Sequence, residues 1–190
     1  DRLGCDWLKA QLEKRFEIKT NIVGVREDEV RETRILNRVI RITKDGWEME
    51  ADQRHADIII EQMNLKGAKG VSSPHEDEQR WEEEENRNLL GESESRKYRE
   101  LAARANYLAQ DRMDIQYATK EVCRGMCNPT KGDVKKLRRL ARYLITVPRL
   151  VMKYGWQEDN LQVQSFTDSD FAGCKKSRKS TSGGLVMHGN

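Results

Sequence analysis

Between Ser95 and Thr146, apolar side chains return every three or four residues in three successive segments, and no other feature constrains the fold of this 190-residue chain as strongly. The first segment carries Tyr98, Leu101, Ala105 and Leu108, with Ser95 as its expected cap. The second, Asp114 to Cys127, carries Ile115, Ala118, Val122 and Met126. The third, from about Lys131 to Ile145, carries Val134, Leu137, Leu140, Ala141 and Leu144, and Asn128-Pro129-Thr130 separates it from the second. Spacings of three and four gather these residues on one stripe of each helix. Three amphipathic helices therefore need partners for their stripes. Pro148 ends the third, because proline cannot continue a helix.

Around this helical centre the period changes. Leu3, Trp7, Leu8, Leu12 and Phe16 mark a short amphipathic helix, and Glu17 to Val23 reads as a strand. Thr33 to Thr43 carries Ile35, Val39 and Ile42, and Trp47 to Glu50 returns after Lys44-Asp45-Gly46. Asp-Gly between two such runs predicts a hairpin. Ala51 to Leu65 is expected to be helical, with Ala56, Ile59, Ile60 and Met63 as its buried stripe. Leu150 to Trp156 reads as a strand feeding a terminal hairpin. There, Leu161 to Phe166 alternates at period two and Gly184 to Met187 returns, presenting Asp168 at the end or middle of the first strand. Asp170 is expected to be structural, and Gly183-Gly184 reads as hairpin geometry. The fold class is α+β, with a helical centre flanked by small β elements.

Charge patterning narrows the function. Charged residues make up 35% and hydrophobic ones 36%, with a mean hydropathy of -0.89, which predicts marginal stability or a piece of something larger. A first residue of Asp rather than Met fits a fragment. Gly67 to Ser95 reads as a linker, and from Glu76 to Glu94 nine acids face only Arg80 and Arg87, a pattern of solvated, mobile chain. The third helical segment is the opposite, with Lys131, Lys135, Lys136, Arg138, Arg139 and Arg142 against Asp133 alone. No apolar stretch is long enough to span a membrane and no secretory leader opens the chain, so a cytoplasmic or nuclear setting without membrane contact is expected. Cys5, Cys123, Cys127 and Cys174 then read as reduced thiols. Cys123 and Cys127 could share a helix face as buried small side chains. The scattered His55, His75 and His188 give them no zinc partners.

Several motifs in collinear order carry a resemblance. Phe166-Thr167-Asp168-Ser169-Asp170-Phe171-Ala172-Gly173, followed by Lys179-Ser180-Thr181-Ser182-Gly183-Gly184, resembles the opening of the ribonuclease H domain in copia-type LTR retrotransposon Pol polyproteins. Lys97 to Leu101, Ala105 to Ala109, Asp111 to Ala118, Asn128-Pro129-Thr130 and Leu140 to Leu144 are similar to successive segments upstream of that domain. Leu12 to Lys19 resembles the segment after the polymerase active-site hairpin, and Ala68 to Pro74 the stretch closing the palm. Three departures suggest a diverged copy. Met113 stands where the family usually has Pro, Asn37 where it usually has Gly, and Lys131-Gly132-Asp133 where a His-Trp pair often follows Pro-Thr. Asn37 matters most, since relatives use this region as the primer grip and a side chain could keep the backbone from the primer.

The resemblance implies the end of a reverse transcriptase palm with its primer grip over 1–75, an acidic linker over 76–95, a helical thumb or connection over 96–148, and a truncated ribonuclease H-like domain over 149–190. It implies that Lys135, Lys136, Arg138, Arg139 and Arg142 contact an RNA–DNA hybrid or template–primer, neutralising phosphates. Asp168 would be the first ribonuclease H carboxylate, a Mg2+ ligand in the intact polyprotein whose partner carboxylates lie past Asn190. No Tyr-x-Asp-Asp occurs in the chain. Two-metal chemistry needs clustered carboxylates, so the chain alone is expected to be inactive. The alternatives are a non-catalytic nucleic-acid-binding remnant or a non-functional retroelement relic.

Overall fold

The computed structural model describes residues 2–76, 88–157, 162–174 and 178–189. Most of the acidic run, and Leu161, lie outside these. Among the described residues there are five α-helices: α1 (Arg2–Glu13), α2 (Arg54–Gln62), α3 (Glu92–Leu108), α4 (Gln116–Arg124) and α5 (Lys131–Thr146). A 3-10 turn, Met113–Ile115, leads into α4. The strands are β1 (Glu32–Ile35), β2 (Arg38–Thr43), β3 (Gly46–Glu50), β4 (Val151–Gly155), β5 (Val163–Ser169) and β6 (Ser182–His188). The chain forms two compact units, residues 1–153 and 154–190.

The core of the first unit is where the three helical stripes converge, and α2 supplies a fourth. Leu101, Ala102, Ala105 and Leu108 of α3, Ala118 and Val122 of α4, and Leu137, Leu140, Ala141 and Leu144 of α5 join Ala56 and Ile59 in one buried cluster. Helix α2 packs on α3 and α5, and α4 packs on the same two helices. Alanines at 56, 102, 105 and 141 let backbones approach closely, while the leucines fill the space between. The Tyr98 hydroxyl donates to Val122 O at 2.6 Å, so this buried ring carries its polar atom satisfied across the α3–α4 contact.

Helix boundaries follow local chemistry the stripes do not show. Helix α5 starts on a reciprocal cap: Asp133 N donates to Thr130 Oγ1 at 3.2 Å and Thr130 N donates to Asp133 Oδ2 at 3.0 Å. The departure Lys131-Gly132-Asp133 thus supplies a capping box. A Cβ on Gly125 would lie 2.5 Å from the Asp133 carboxyl carbon, so the cap fits only over a glycine. Helix α3 is capped at Gly91, not at the expected Ser95. Glu94 accepts from Gly91 N at 3.3 Å, and Ser95 is already inside the first turn, its hydroxyl donating back to Leu90 O at 3.4 Å. Met113 opens the 3-10 turn with its side chain exposed. A first helical position suits proline but does not require it.

The sheet of this unit runs β1-β2-β3-β4. The expected stretch Thr33–Thr43 is two strands joined by a two-residue turn, with Ile35 opposite Arg38. Leu36 (φ 49°) and Asn37 (φ 66°) are both left-handed, as the tightest hairpin turns require. Asn tolerates that region better than most side chains, so Asn37 stands in for a glycine without losing the turn. Glu17–Val23 is not a strand. Its one ladder contact is a bridge from Val23 to Val30, because its apolar residues find no neighbouring strand. Charge joins the strands: Glu50 on β3 accepts from Arg149 at 2.5 and 2.7 Å and from Arg41 on β2 at 3.0 Å, and Arg41 also reaches Glu32 on β1. Hydrogen bonds from Arg149 and then Arg41 overcome the opposing effect of burial and hold the Glu50 carboxyl at a pKa of about 2.

Arg112 is almost completely buried. Its Nε and Nη2 donate to the Asp114 carboxylate at 2.9 and 2.7 Å, Nη2 also to Val147 O at 2.9 Å, and Nη1 to Pro148 O at 3.2 Å. One guanidinium therefore satisfies the carbonyls that follow α5. Burial alone would raise the pKa of Asp114, but Arg112 and the Tyr143 hydroxyl bring it below the usual carboxylate value.

Helix α1 forms but ends at Glu13, short of the expected Phe16; Leu3, Trp7, Leu8 and Leu12 of its apolar stripe, and Phe16 beyond it, are all exposed, and the helix contributes no buried residue. In the second unit, β5 and β6 pair antiparallel with Asp168 opposite Gly183. Asp170 is structural: its Oδ1 accepts from Gly173 N at 3.0 Å and Thr181 N at 2.9 Å, closing the turn after β5.

Candidate nucleic-acid interface

The basic residues of α5 are aimed by the same periodicity that buries its leucines. Positions 131, 135, 138 and 142 fall on one stripe, opposite the side that presents Leu137, Leu140 and Leu144 to the core. The core-facing side fixes the rotation of the helix, so the cations cannot turn inward.

The five expected contact residues are not equivalent. Lys135 and Arg138 are exposed. Lys136 lies on the flank, with Nζ 4.0 Å from Asp133 Oδ1. Arg139 and Arg142 are engaged by the chain itself. Arg142 Nε donates to Lys69 O at 2.8 Å, and Arg139 Nη1 pairs with Glu76 Oε2 at 2.5 Å. The start of the expected linker is thus part of the fold. Ala68 and Val71 pack against the core, and Val71 N donates to Arg142 O at 3.3 Å.

The hairpin of β1 and β2, the primer-grip region by resemblance, docks on the end of α3. Arg38 Nε donates to Asp111 Oδ2 at 2.6 Å, and its guanidinium lies 5.6 Å from the Tyr107 ring centroid. The His55 ring also meets the Tyr107 ring, tilted by 45° with centroids 4.7 Å apart. Burial, helped by Arg104 and Arg54, holds the His55 imidazole below its ordinary pKa, against the pull of Asp52. Periodicity gave no sign of this cluster. The signal that could have found it is Arg104, Tyr107 and Asp111, which follow one another at helical spacing along the polar face of α3 and into the turn after it.

Asp168 is exposed on β5, and a glycine opposite it leaves the carboxylate without a cross-strand side chain. Among the described residues no group of three His, Cys, Asp or Glu side chains could hold a metal ion. The nearby Asp170 is already taken by backbone N–H groups. Hard divalent cations take several oxygen ligands, so the donor set described here does not fit Mg2+. None of the four cysteines is joined in a disulfide. Burial raises the Cys123 thiol pKa. Cys127 lies beyond the end of α4 and is exposed, so the two do not share a helix face as expected. An open groove of about 570 Å3 between α3 and α4 involves neither Asp168 nor the expected α5 residues. No helix among the described residues is long and apolar enough to cross a membrane.

Known proteins similar to this chain point in one direction. An uncharacterized mitochondrial protein of Arabidopsis thaliana is 39% identical over 88 residues, covering 45% of this chain and 35% of the relative. The retrovirus-related Pol polyprotein from transposon RE1 of the same plant is 34% identical over 95 residues, and that from transposon RE2 is 32% identical over 95. Each of these matches covers 49% of this chain and 6% of the polyprotein. No family model and no solved structure matches. The resemblance to Pol polyproteins read from the motifs is borne out: the homologues of this chain include retrovirus-related Pol polyproteins of plant transposons.

Proposed function

We propose that this homologue of transposon Pol polyproteins is a fragment of a copia-type Pol, and that its helical unit grips an RNA–DNA hybrid or template–primer. The observation that carries this reading is the cationic stripe of α5, exposed at Lys135 and Arg138, on a helix whose opposite face is locked into the core. A rigid row of cations at helical spacing suits a phosphate backbone, which it contacts without reading sequence. The β1–β2 hairpin, held to α3 through Arg38 and Asp111, would be the primer-side contact. Asp168 would supply one ribonuclease H carboxylate of the intact polyprotein. The share of polymerase and nuclease action proposed for the helical unit is binding of the hybrid.

Fluorescence anisotropy with a labelled RNA–DNA hybrid tests the reading. Binding should fall as salt rises, and the Lys135→Ala/Arg138→Ala double variant should lower the magnitude of the log–log salt slope by about two, the value for two lost phosphate contacts. Asp168→Asn should bind like the wild type. A double variant with unchanged affinity and slope would remove α5 as the interface.

A further inference from the structure

Helix α5 is held by its own chain on both sides of the acidic stretch. On the incoming side, Lys69 and Val71 exchange hydrogen bonds with Arg142. The approach is so close that a Cβ on Gly70 would lie 2.0 Å from Thr146 Oγ1. Further along, the Glu76 carboxylate meets Arg139. On the returning side, Lys131 N donates to Asn88 O at 3.0 Å and Leu90 N to Pro129 O at 2.9 Å. The chain thus leaves one end of the basic helix and rejoins it at the other.

We propose that Glu76 is an intramolecular competitor for the anionic ligand of α5. Its carboxylate occupies the Arg139 guanidinium that a backbone phosphate would otherwise take, so the contact restrains polyanion binding by the same helix. The inference rests on the nucleic-acid reading of α5. A tether this short keeps the carboxylate at high effective concentration near its arginine. The pair lies at the surface, with Glu76 exposed at 56% and Arg139 partly covered at 28%. Exposed pairs contribute little and yield to stronger partners, which makes Glu76 a displaceable restraint rather than a block. Arg139 Nε is buried, so the guanidinium meets Glu76 through Nη1.

The test compares wild type, Glu76→Gln and Glu76→Gln/Arg139→Gln in hybrid anisotropy, with circular dichroism to verify folding. Releasing an exposed ion pair should tighten binding of Glu76→Gln by roughly two- to fivefold at low salt. It should also steepen the salt slope by about one, the value for one added phosphate contact. Both gains should vanish in the double variant. Wild type binding with no gain in Glu76→Gln, or a gain that persists without Arg139, overturns the proposal while leaving the α5 interface standing. If neither wild type nor Glu76→Gln binds hybrid at low salt, the interface reading falls and the competitor falls with it.

Discussion

The helical cluster of the first unit and the β5–β6 hairpin of the second arise from equally regular sequence patterns and end in opposite environments. Ala102, Ala105, Ile115, Leu140, Ala141 and Leu144 are sealed from solvent, whereas every residue of β5 and β6 is exposed and Phe171 is 96% so. The difference lies in the number of partners. Four helices each bring one apolar stripe, and the stripes cover one another. The two-stranded sheet has two faces and two edges, and nothing among the described residues of its own unit covers any of them. A hairpin of that kind is marginal by itself in water. Periodicity therefore reports which element forms, while stability depends on what stands opposite. The proposed phosphate-binding stripe sits on the well-packed element, and the proposed nuclease carboxylate on the sparsely packed one.

The largest expected effect breaks this comparison if it fails. Leu140→Ala should destabilise the first unit by about 3 kcal/mol, within the range for leucine truncation in a closed core. Phe166→Ala should change the global transition by less than about 0.5 kcal/mol, as for a surface position. Thermal denaturation of the two variants checks this, and equal losses would mean that the hairpin is as well packed as the helices. Next in size is a charge effect confined to the first unit. The folded-state pKa of Glu50 is depressed to about 2, so its contribution is fully present above its ordinary value of 4.5 and is lost as pH falls from there toward 2. The wild-type melting temperature should drop across that window. Glu50→Gln should start lower, by about 2 kcal/mol for groups left poorly paired, and lose less on acidification. The smallest effect sharpens the account of α5: Thr130→Ala should cost about 1 kcal/mol through loss of the N-cap, read as a reduced urea midpoint.

Most of the helical unit was legible, because Leu137, Leu140, Ala141 and Leu144 had to face inward and their spacing left little choice of rotation. The terminal hairpin was legible from its period-two alternation, down to Asp168 late in its first strand. What stayed hidden depended on contacts distant in sequence. Nothing near Glu17–Val23 signals that a strand there lacks a neighbour. The turn at Leu36–Asn37 lacks the glycine that normally advertises a tight hairpin. Ser95 looks like a cap but is displaced by Gly91, because Glu94 can reach back to the free N–H from there. In the candidate interface, composition found the five cations of α5 and could not tell that Arg139 and Arg142 face the chain's own Glu76 and Lys69. That distinction comes from the path of residues 68–76 over the helix, which polar residues with little periodicity do not encode locally.

The Arg112 clasp has a mechanical consequence. It grips the carbonyls of Val147 and Pro148, and the very next side chain, Arg149, is bound by Glu50 on the sheet. Two adjacent residues are thus fastened to different layers, one to the helices and the other to the strands. There is no slack between the fasteners, so a pull on either layer is transmitted to the other. The connection after α5 behaves as a rivet rather than a hinge, and helices and four-stranded sheet should come apart in a single cooperative event.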